Sequence, residues 1–385
     1  MAVPMLEYNF DELIDRRGTS SAKWDWYGER DVVPLWVADM DFPSPQAVIQ
    51  ALHARVNHGV FGYTFAPKEL TRAVCTMLRD QYNWNIEEEW IIWLPGLVSG
   101  LNISCQLAGA YGDAVMSAVP VYPPFLSAPR NAQRELLTVP MVLDHDRWVF
   151  DFDAFERAIT PRTRMFLLCN PHNPVGRVLT EKELRTIAAL CEKHNLLICS
   201  DEIHCQLVLD DDKCHIPTAT LDPAVASRTI TLLAASKTYN LAGLGCAFAV
   251  IPDETLRAQF NAAKTGIVPH VNALGYTATL AAYRDGAEWL KALLRYLVRN
   301  RDAVTEAIEN IHGLATTHVE ATYLAWIDTR PLGIAKPAAF FEQAGVGLWA
   351  GKDFQGPGFV RLNFGCPAAL LEKALERMRE AVRRL

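Results

Sequence analysis

Short apolar runs alternate with stretches of helical periodicity between about residues 90 and 280. The run Arg-Met-Phe-Leu-Leu-Cys at 164–169 is nearly continuous, which is typical of a strand that is covered on both faces. Apolar runs at 196–200, 229–235 and 246–251 predict three more strands. Strands that alternate with helices predict an α/β protein with a mostly parallel sheet and helices on both of its faces.

The segment that links the first two of these strands predicts a helix. Thr180, followed three residues later by Glu183, is the pattern of a capping box, which begins a helix. The positions that then recur at helical spacing are Leu184, Ile187, Ala188, Cys191 and His194. Ligands of such sheets bind outside the carboxyl ends of the strands, so functional residues are expected there.

The last hundred residues change character. An amphipathic stretch covers 288–312, two strands are predicted at 323–328 and 359–364, and a helix rich in Arg and Glu covers 368–385. This combination predicts a smaller α+β domain, with the N-terminal segment packed onto it or onto a partner. The expected parts are an N-terminal segment at 1–45, a large domain at 46–285 and a small domain at 286–385.

Composition narrows the class of protein. Half of the 385 residues are hydrophobic, and a net charge of −7 with a pI near 5.8 argues against a nucleic-acid binder. No apolar stretch is long enough to span a membrane, and the acidic start (Glu7, Asp11, Glu12) does not resemble a signal peptide. Nine cysteines are scattered without a CxxC pair. We therefore expect a cytoplasmic protein without structural disulfides or a metal site.

Candidate catalytic residues stand where the predicted strands end. Asn173 follows the first strand in a loop with two Asn-Pro steps, Asp201 and His204 follow the second, and Ser236 and Lys237 follow the third. Burial lowers the pKa of a lysine, and its neutral amine can form a Schiff base with an aldehyde. Taken singly, each of these residues also has an ordinary structural explanation, such as a cap, a turn or a core histidine.

Two upstream features complete a set. Gly96 to Gly100 leads into an apolar helical stretch, and free N–H groups at a helix start suit a phosphate. Tyr122 stands between prolines in Pro120 to Phe125, where it could stack on a ring. Together these residues match the needs of an aldehyde cofactor that carries a pyridine ring and a phosphate.

A wider resemblance covers nearly the whole chain. The motifs that carry it are 15–19 (Asp-Arg-Arg-Gly-Thr), 23–25 (Lys-Trp-Asp), 36–42 (Trp-Val-Ala-Asp-Met-Asp-Phe), 59–63, 120–125, 170–176, 200–204, 236–243 and 361–367. On these residues the chain resembles the fold-type I pyridoxal-phosphate enzymes of the aminotransferase-like superfamily. Within them it is most similar to the cystathionine β-lyase group of the MalY/PatB type. The resemblance implies an aspartate-aminotransferase-like fold, pyridoxal 5'-phosphate as cofactor, an amino-acid substrate and a homodimer.

The resemblance also implies a role for each site residue. Lys237 would hold the cofactor as a Schiff base and take the α-proton, Asp201 would pair with the pyridine nitrogen, and Tyr122 would stack on the ring as a further catalytic residue. The other implied contacts are Asn173 and His204 to the ring hydroxyl, Val98, Ser99 and Ser236 to the phosphate, Tyr63 to the phosphate of the neighbouring subunit, and Arg361, Asp39 and Tyr122 to the substrate.

Two positions depart from the pattern of the superfamily. Many of its aminotransferases have an arginine eight residues after the lysine, where this chain has Gly245, and a serine three residues before it, where this chain has Ala234. The missing arginine disfavours a plain aminotransferase. We therefore expect a carbon–sulfur β-lyase that converts cystathionine or related cysteine S-conjugates to a thiol, pyruvate and ammonia. A class I/II aminotransferase and a non-catalytic regulatory protein that binds the cofactor are the alternatives.

Overall fold

The computed structural model describes residues 8–385. Its α-helices are α1 Gln46–Asn57, α2 Lys68–Tyr82, α3 Leu97–Gln106, α4 Pro124–Asn131, α5 Phe152–Ala158, α6 Glu181–Lys193, α7 Pro223–Ala226, α8 Glu254–Lys264, α9 Ala273–Asp285, α10 Ala287–Glu309, α11 Pro337–Gln343 and α12 Ala368–Arg383. Its β-strands are β1 Val33–Pro34, β2 Ile91–Leu94, β3 Ala114–Val119, β4 Glu135–Asp144, β5 Arg147–Phe150, β6 Thr163–Cys169, β7 Leu197–Asp201, β8 Thr229–Leu233, β9 Ala247–Val250, β10 Ala315–Thr316, β11 Leu324–Asp328, β12 Val346–Gly347, β13 Trp349–Ala350 and β14 Phe359–Asn363.

An eight-stranded sheet forms the centre of the fold, in the order β2-β9-β8-β7-β6-β3-β4-β5. Strands β8, β7, β6, β3 and β4 are parallel, as the alternation of strands and helices predicted, whereas β9 and β5 run antiparallel to their neighbours. The α/β prediction is confirmed. The last residues of β6 and β7, Cys169 and Asp201, lie opposite each other, so the loops after these strands meet at one edge.

Helix α6 shows how local sequence sets this architecture. The side chain of Thr180 accepts a hydrogen bond from the N–H of Glu183, and the Glu183 carboxylate accepts one from the N–H of Thr180. This capping box satisfies backbone groups that would otherwise lack partners at the helix start. Leu184 and Ile187 are fully buried against the sheet, so the helix begins and packs as its spacing predicts.

A second, antiparallel sheet has the order β10-β11-β14-β13 and is packed with α10 and α12. Its strand β14 places Arg361 opposite both Trp326 of β11 and Trp349 of β13. The N-terminal segment joins this region, because β1 pairs in parallel with β12 and the ring of Phe10 lies 5.6 Å from that of Trp289.

The boundaries expected for the three parts of the chain stay a prediction, and residues 1–7 of the first part lie outside the described residues. Within residues 8–385, no helix is long and apolar enough to cross a membrane.

Candidate active site

A cavity of about 380 Å³ opens at the carboxyl ends of β6, β7 and β8. The residues expected from the sequence that line it are Val98, Tyr122, Asn173, Asp201, His204, Ser236 and Lys237. Because parallel neighbouring strands end at one edge, the segments after β6, β7 and β8 bring Asn173, His204 and Lys237 to one place, although they are distant in sequence.

Lys237 follows β8 and contributes the amine of the cavity. Its Nζ donates a hydrogen bond of 2.6 Å to the carbonyl oxygen of Ala38. Burial, followed by the positive charge of Arg361, lowers the pKa of Lys237 to about 8, although the carboxylates of Asp39 and Asp201 oppose this shift. A larger fraction of the amine is therefore neutral near pH 7 than for an exposed lysine, as a nucleophile or proton acceptor requires.

Asp201 is the last residue of β7 and supplies the carboxylate. Its Oδ1 accepts a hydrogen bond of 3.1 Å from the N–H of Ile203. Burial, with a further contribution from the charge of Glu202, raises the pKa of Asp201 to about 7. A carboxyl group in this state readily shares a proton with a basic ring nitrogen placed against it.

His204 and Asn173 offer polar groups to the same space. Burial lowers the pKa of His204 to about 3, with the charges of Lys237 and Arg361 adding to the effect, so its ring is neutral. Its Nδ1 is buried and has no hydrogen-bond partner among the described residues. The Oδ1 of Asn173 accepts from Arg361 at 3.1 Å, which leaves its NH₂ group to donate. Asn170 has a different task, since its Oδ1 accepts from the N–H of Leu179 and fixes the loop.

Arg361 is fully buried in β14 rather than exposed to solvent. Its Nη2 donates a hydrogen bond of 2.7 Å to the carbonyl of Trp36, and its guanidinium lies over the rings of Trp349 and Phe354, at 4.6 and 4.9 Å. Burial lowers the pKa of Arg361 to about 10, which leaves it cationic at neutral pH. Its Nε has no partner among residues 8–385. A buried, oriented guanidinium is suited to bind a carboxylate.

The start of α3 forms another wall of the cavity, with Gly96 at the N-cap and without a side-chain cap. The N–H groups of this first turn are therefore available to an anion. Gly245 lies beside it with φ +56°, and a Cβ there would stand 2.9 Å from the carbonyl oxygen of Pro95. An arginine at position 245 would be strained in this backbone, which gives a physical reason for the departure noted in the sequence.

Four expected residues do not line the cavity themselves. Arg361 contacts the lining residues Asn173 and Trp349 from behind this wall. The side chain of Asp39 is paired through its Oδ2 with Arg16 at 2.7 Å, and its expected contact with the substrate stays a prediction. Tyr63 is fully exposed on its own chain. Ser99 is half-buried within the first turn of α3.

Sequence reasoning missed several groups that shape the cavity. Trp36 and Trp349 line it, with their rings 5.9 Å apart, and the ring of Trp349 meets that of Tyr122 edge-on at 6.4 Å. The carbonyl of Ala38 and the thiol of Cys169 also lie at its wall. Trp36 belongs to the motif 36–42, but nothing in the local sequence around Trp349 indicates a site residue.

The donor set fits an aldehyde cofactor with a pyridine ring and a phosphate. An amine, a carboxylate and a neutral imidazole face one cavity, with an uncapped helix start at its wall. The buried Nδ1 of His204, which has no partner among the described residues, agrees with a cavity built to receive a polar group.

Comparison with known proteins gives the same family. Residues 30–378 match the model of the family described as aminotransferase class I and II. Cystathionine beta-lyase PatB of Bacillus subtilis (strain 168) is 35% identical over 97% of this chain and 100% of that protein.

Solved structures agree. The structure of OvoB superposes with a TM-score of 0.95 at 45% identity, covering 97% of this chain and 99% of that one. Cystalysin from Treponema denticola, whose structure contains pyridoxal 5'-phosphate, has a TM-score of 0.95 at 31% identity, covering 98% of this chain and 100% of that one. The chain therefore belongs to the aminotransferase class I and II family and, within it, to the group that contains PatB.

Proposed function

We propose that this chain is a pyridoxal-phosphate-dependent carbon–sulfur β-lyase. It cleaves cystathionine or a related cysteine S-conjugate, consumes one water, and releases a thiol, pyruvate and ammonia. The observation that carries the proposal is the amine of Lys237 in the cavity, together with the buried guanidinium of Arg361, which is held against the cavity residues Trp36, Asn173 and Trp349. Two relatives support the proposal: PatB is named a cystathionine beta-lyase, and the structure of cystalysin contains pyridoxal 5'-phosphate.

Asp201 and Tyr122 would hold the ring of the cofactor in this proposal. When bound, pyridoxal 5'-phosphate supplies an electron sink that stabilises negative charge at the α-carbon of the substrate. Asp201 holds a proton at the ring nitrogen, and the NH₂ of Asn173 and the ring of His204 bond the ring hydroxyl. Tyr122, which is edge-on to Trp349, covers one face of the ring.

Lys237 is both the anchor and the base. Its amine would hold the cofactor through the aldehyde carbon, and the same Nζ would take the α-proton of the substrate. A pKa of about 8 suits this work, because the group can accept a proton and return it near neutral pH. Loss of the α-proton is followed by departure of the sulfur from the β-carbon.

Arg361 orients the substrate through its carboxylate. The guanidinium is held by Trp36, Asn173 and the face of Trp349 before any substrate arrives, so little freedom is lost on binding. The N–H groups of Val98 and Ser99 at the start of α3 and the hydroxyl of Ser236 would hold the phosphate. These donors replace the arginine that Gly245 excludes.

We also propose a cytoplasmic homodimer in which Tyr63 reaches the phosphate of the neighbouring subunit. Its side chain is fully exposed, and Val60, Phe61 and Phe65 around it are exposed too, which is unusual for a run of apolar residues. Mixing Tyr63→Ala with Lys237→Ala chains tests this, because a mixed dimer contains one complete site. Two inactive proteins should then recover part of the turnover; no recovery despite formation of mixed dimers contradicts the shared site.

The lyase proposal is tested with a panel of L-amino acids in which pyruvate and thiol are measured together, without a keto acid. We expect both products in equal amounts from cystathionine or another cysteine S-conjugate. An absolute requirement for a keto acid would instead identify an aminotransferase. Binding of the cofactor without turnover of any member of the panel would favour the regulatory alternative.

A further inference from the structure

Two motifs of the chain have no role in the proposed chemistry. They are Lys23-Trp24 and the segment 36–42, which we call the strap. The strap follows β1 and has no helix or strand of its own over most of its length, although Ala38, Met40, Asp41 and Phe42 are buried. Buried backbone groups need hydrogen-bond partners, so the partners of the strap show what holds it.

Side chains from three regions supply these partners. The hydrogen bonds from these regions to strap carbonyls are Lys237 to Ala38 (2.6 Å), Tyr323 to Ala38 (3.0 Å), Arg361 to Trp36 (2.7 Å), Asn363 to Val37 (2.5 Å) and to Asp39 (2.6 Å), and Asn240 to Met40 (2.9 Å) and to Phe42 (2.8 Å). Lys237 and Arg361 are the two cations of the candidate site. The position of the strap therefore decides where both of them point.

A cluster of charges also holds the strap. Lys23 is completely buried, and its Nζ donates to Asp41 Oδ2 at 2.7 Å and to the carbonyl of Asp39 at 3.2 Å. Arg16 contacts Asp41 at 2.5 Å and Asp39 at 2.7 Å, and the indole N–H of Trp24 donates to Asp41 at 2.9 Å. We call these five residues the anchor cluster. Both carboxylates belong to the strap, and all the donors come from residues 16–24.

The anchor cluster is a poor way to gain stability alone. A buried ion pair often gives no more stability than apolar residues of the same volume, but removing one partner is strongly destabilising. The pairing instead fixes geometry, since Asp41 can be satisfied in one place only. Burial opposes the charge of Asp41, but Lys23, Trp24 and Arg16 outweigh it and hold the pKa of that carboxyl below its ordinary value. Asp41 is therefore charged at every working pH.

We propose that Lys23 and Asp41 are positioning residues of the site. They fix the strap so that the carbonyl of Trp36 orients Arg361 and the carbonyl of Ala38 receives the amine of Lys237. The tasks of Arg361 and Lys237 rest on the proposed function, whereas the placement of their side chains by the strap does not.

Releasing the strap affects the two cations in different directions. Arg361 loses the acceptor that orients it, so a carboxylate binds less tightly. Burial is the main cause of the low pKa of Lys237, and the other walls of the cavity keep the amine buried when the strap shifts. Lys237 then loses an acceptor and the nearby charge of Asp39, both of which favour its protonated form. Its neutral amine then becomes available at lower pH. A general loss of folding would not weaken carboxylate binding and at the same time extend the pH range of the neutral amine.

The test compares Lys23→Met with Arg301→Met. Arg301 is also a nearly buried cation, paired with Asp210 and absent from the cavity wall, so its loss reports on stability alone. The probe is 3-(methylthio)propanoate, which has a carboxylate and a thioether but no amine, and its dissociation constant is measured by calorimetry on protein loaded with pyridoxal 5'-phosphate. We expect it to rise about tenfold in Lys23→Met, as when a hydrogen bond to a charged group is lost, and to stay unchanged in Arg301→Met.

A second readout uses the cofactor-free chain. The rate at which pyridoxal 5'-phosphate binds to it, followed by absorbance against pH, reports the neutral amine of Lys237. The midpoint should move to lower pH in Lys23→Met and stay in place in Arg301→Met. Neither readout needs turnover, so a chain without lyase activity would refute the proposed function and leave this test intact.

Trp24→Phe covers the case in which Lys23→Met does not fold. It removes one N–H donor from Asp41 and should raise the dissociation constant of the probe by about threefold. An unchanged probe affinity in the folded variants, or a midpoint that moves to higher pH, overturns the proposal.

Discussion

Two sets of buried charges contact the strap, one at the cavity and one in the anchor cluster, and they are built in opposite ways. On the cavity side, burial raises the pKa of Asp201 to about 7 and lowers the pKa of Lys237 to about 8, so both shifts favour the neutral form. On the other side, Lys23 and Asp41 lie 2.7 Å apart, and the pKa of Asp41 is held below its ordinary value against the effect of burial.

The contrast separates groups that react from groups that hold. A buried charge without a full set of partners is costly, and it remains available to a ligand. A buried charge with all its partners is fixed and gives little to chemistry. The chain has the same residue types, Lys and Asp, within one small region, and the partners alone decide which work each does.

The largest expected effect is the loss of Lys237. Lys237→Ala should lower turnover by about 10³-fold or more, because anchor and base are removed together. The visible absorbance of the bound cofactor should disappear, while the far-ultraviolet circular dichroism stays as in the parent chain. If the absorbance survives the substitution, Lys237 does not anchor the cofactor, and the contrast with Lys23 fails.

The order of the strand ends made much of this site predictable. Asn173, Asp201 and Lys237 follow three strands that are neighbours in a parallel sheet, so their proximity follows from the hydrophobic pattern alone. Contacts between distant segments were not accessible in this way. Trp349 reaches the cavity because β13 pairs with β14, a pairing that the local sequence does not indicate. The contact between Asp39 and Arg16 could not be predicted either, because the strap has no periodic pattern from which side-chain directions can be inferred.

The next effect compares one substitution in the two regions. In the cofactor-free chain at pH 8, Asp41→Asn should lower the free energy of unfolding by about 3 kcal/mol, because Lys23 loses its closest charge partner and is left buried with Asp39 at 3.6 Å. Asp201→Asn should raise it. Burial raises the pKa of Asp201 from 3.8 to about 7, which corresponds to a gain of at most about 4 kcal/mol when the charge is removed.

The pH dependence of the unfolding free energy provides a second check of the effect expected for Asp201→Asn. The pKa of Asp201 is raised on folding, so its favourable contribution is complete below about pH 4 and is lost as the pH rises through about 7. The advantage of Asp201→Asn should therefore shrink between pH 7 and pH 5. Urea unfolding at both pH values measures it, and equal signs for Asp41→Asn and Asp201→Asn would break the contrast.

A smaller effect concerns Arg361, which shares features of both regions. Arg361→Met should raise the KM for cystathionine by about 100-fold, since a buried two-pronged contact to a carboxylate is lost, and change kcat less. Arg361→Lys should recover little, because one ammonium cannot replace the fork that contacts Trp36 and Asn173. Steady-state kinetics measure both variants. A KM that is unchanged in Arg361→Met would assign the carboxylate to another residue.

The smallest effect lies at the phosphate end of the cavity, where neither region supplies a side-chain cation in place of the missing arginine. Gly245→Ala should weaken binding of pyridoxal 5'-phosphate by about tenfold, because a residue with a Cβ is strained at positive φ by about 1–2 kcal/mol. The added Cβ would also stand 2.9 Å from the carbonyl of Pro95 and press on the start of α3. Gly243→Ala is the matched control, since its Cβ would meet nothing within 4 Å. If both variants bind the cofactor equally well by absorbance titration, the backbone at 245 does not explain the missing arginine. The start of α3 is then not the phosphate site.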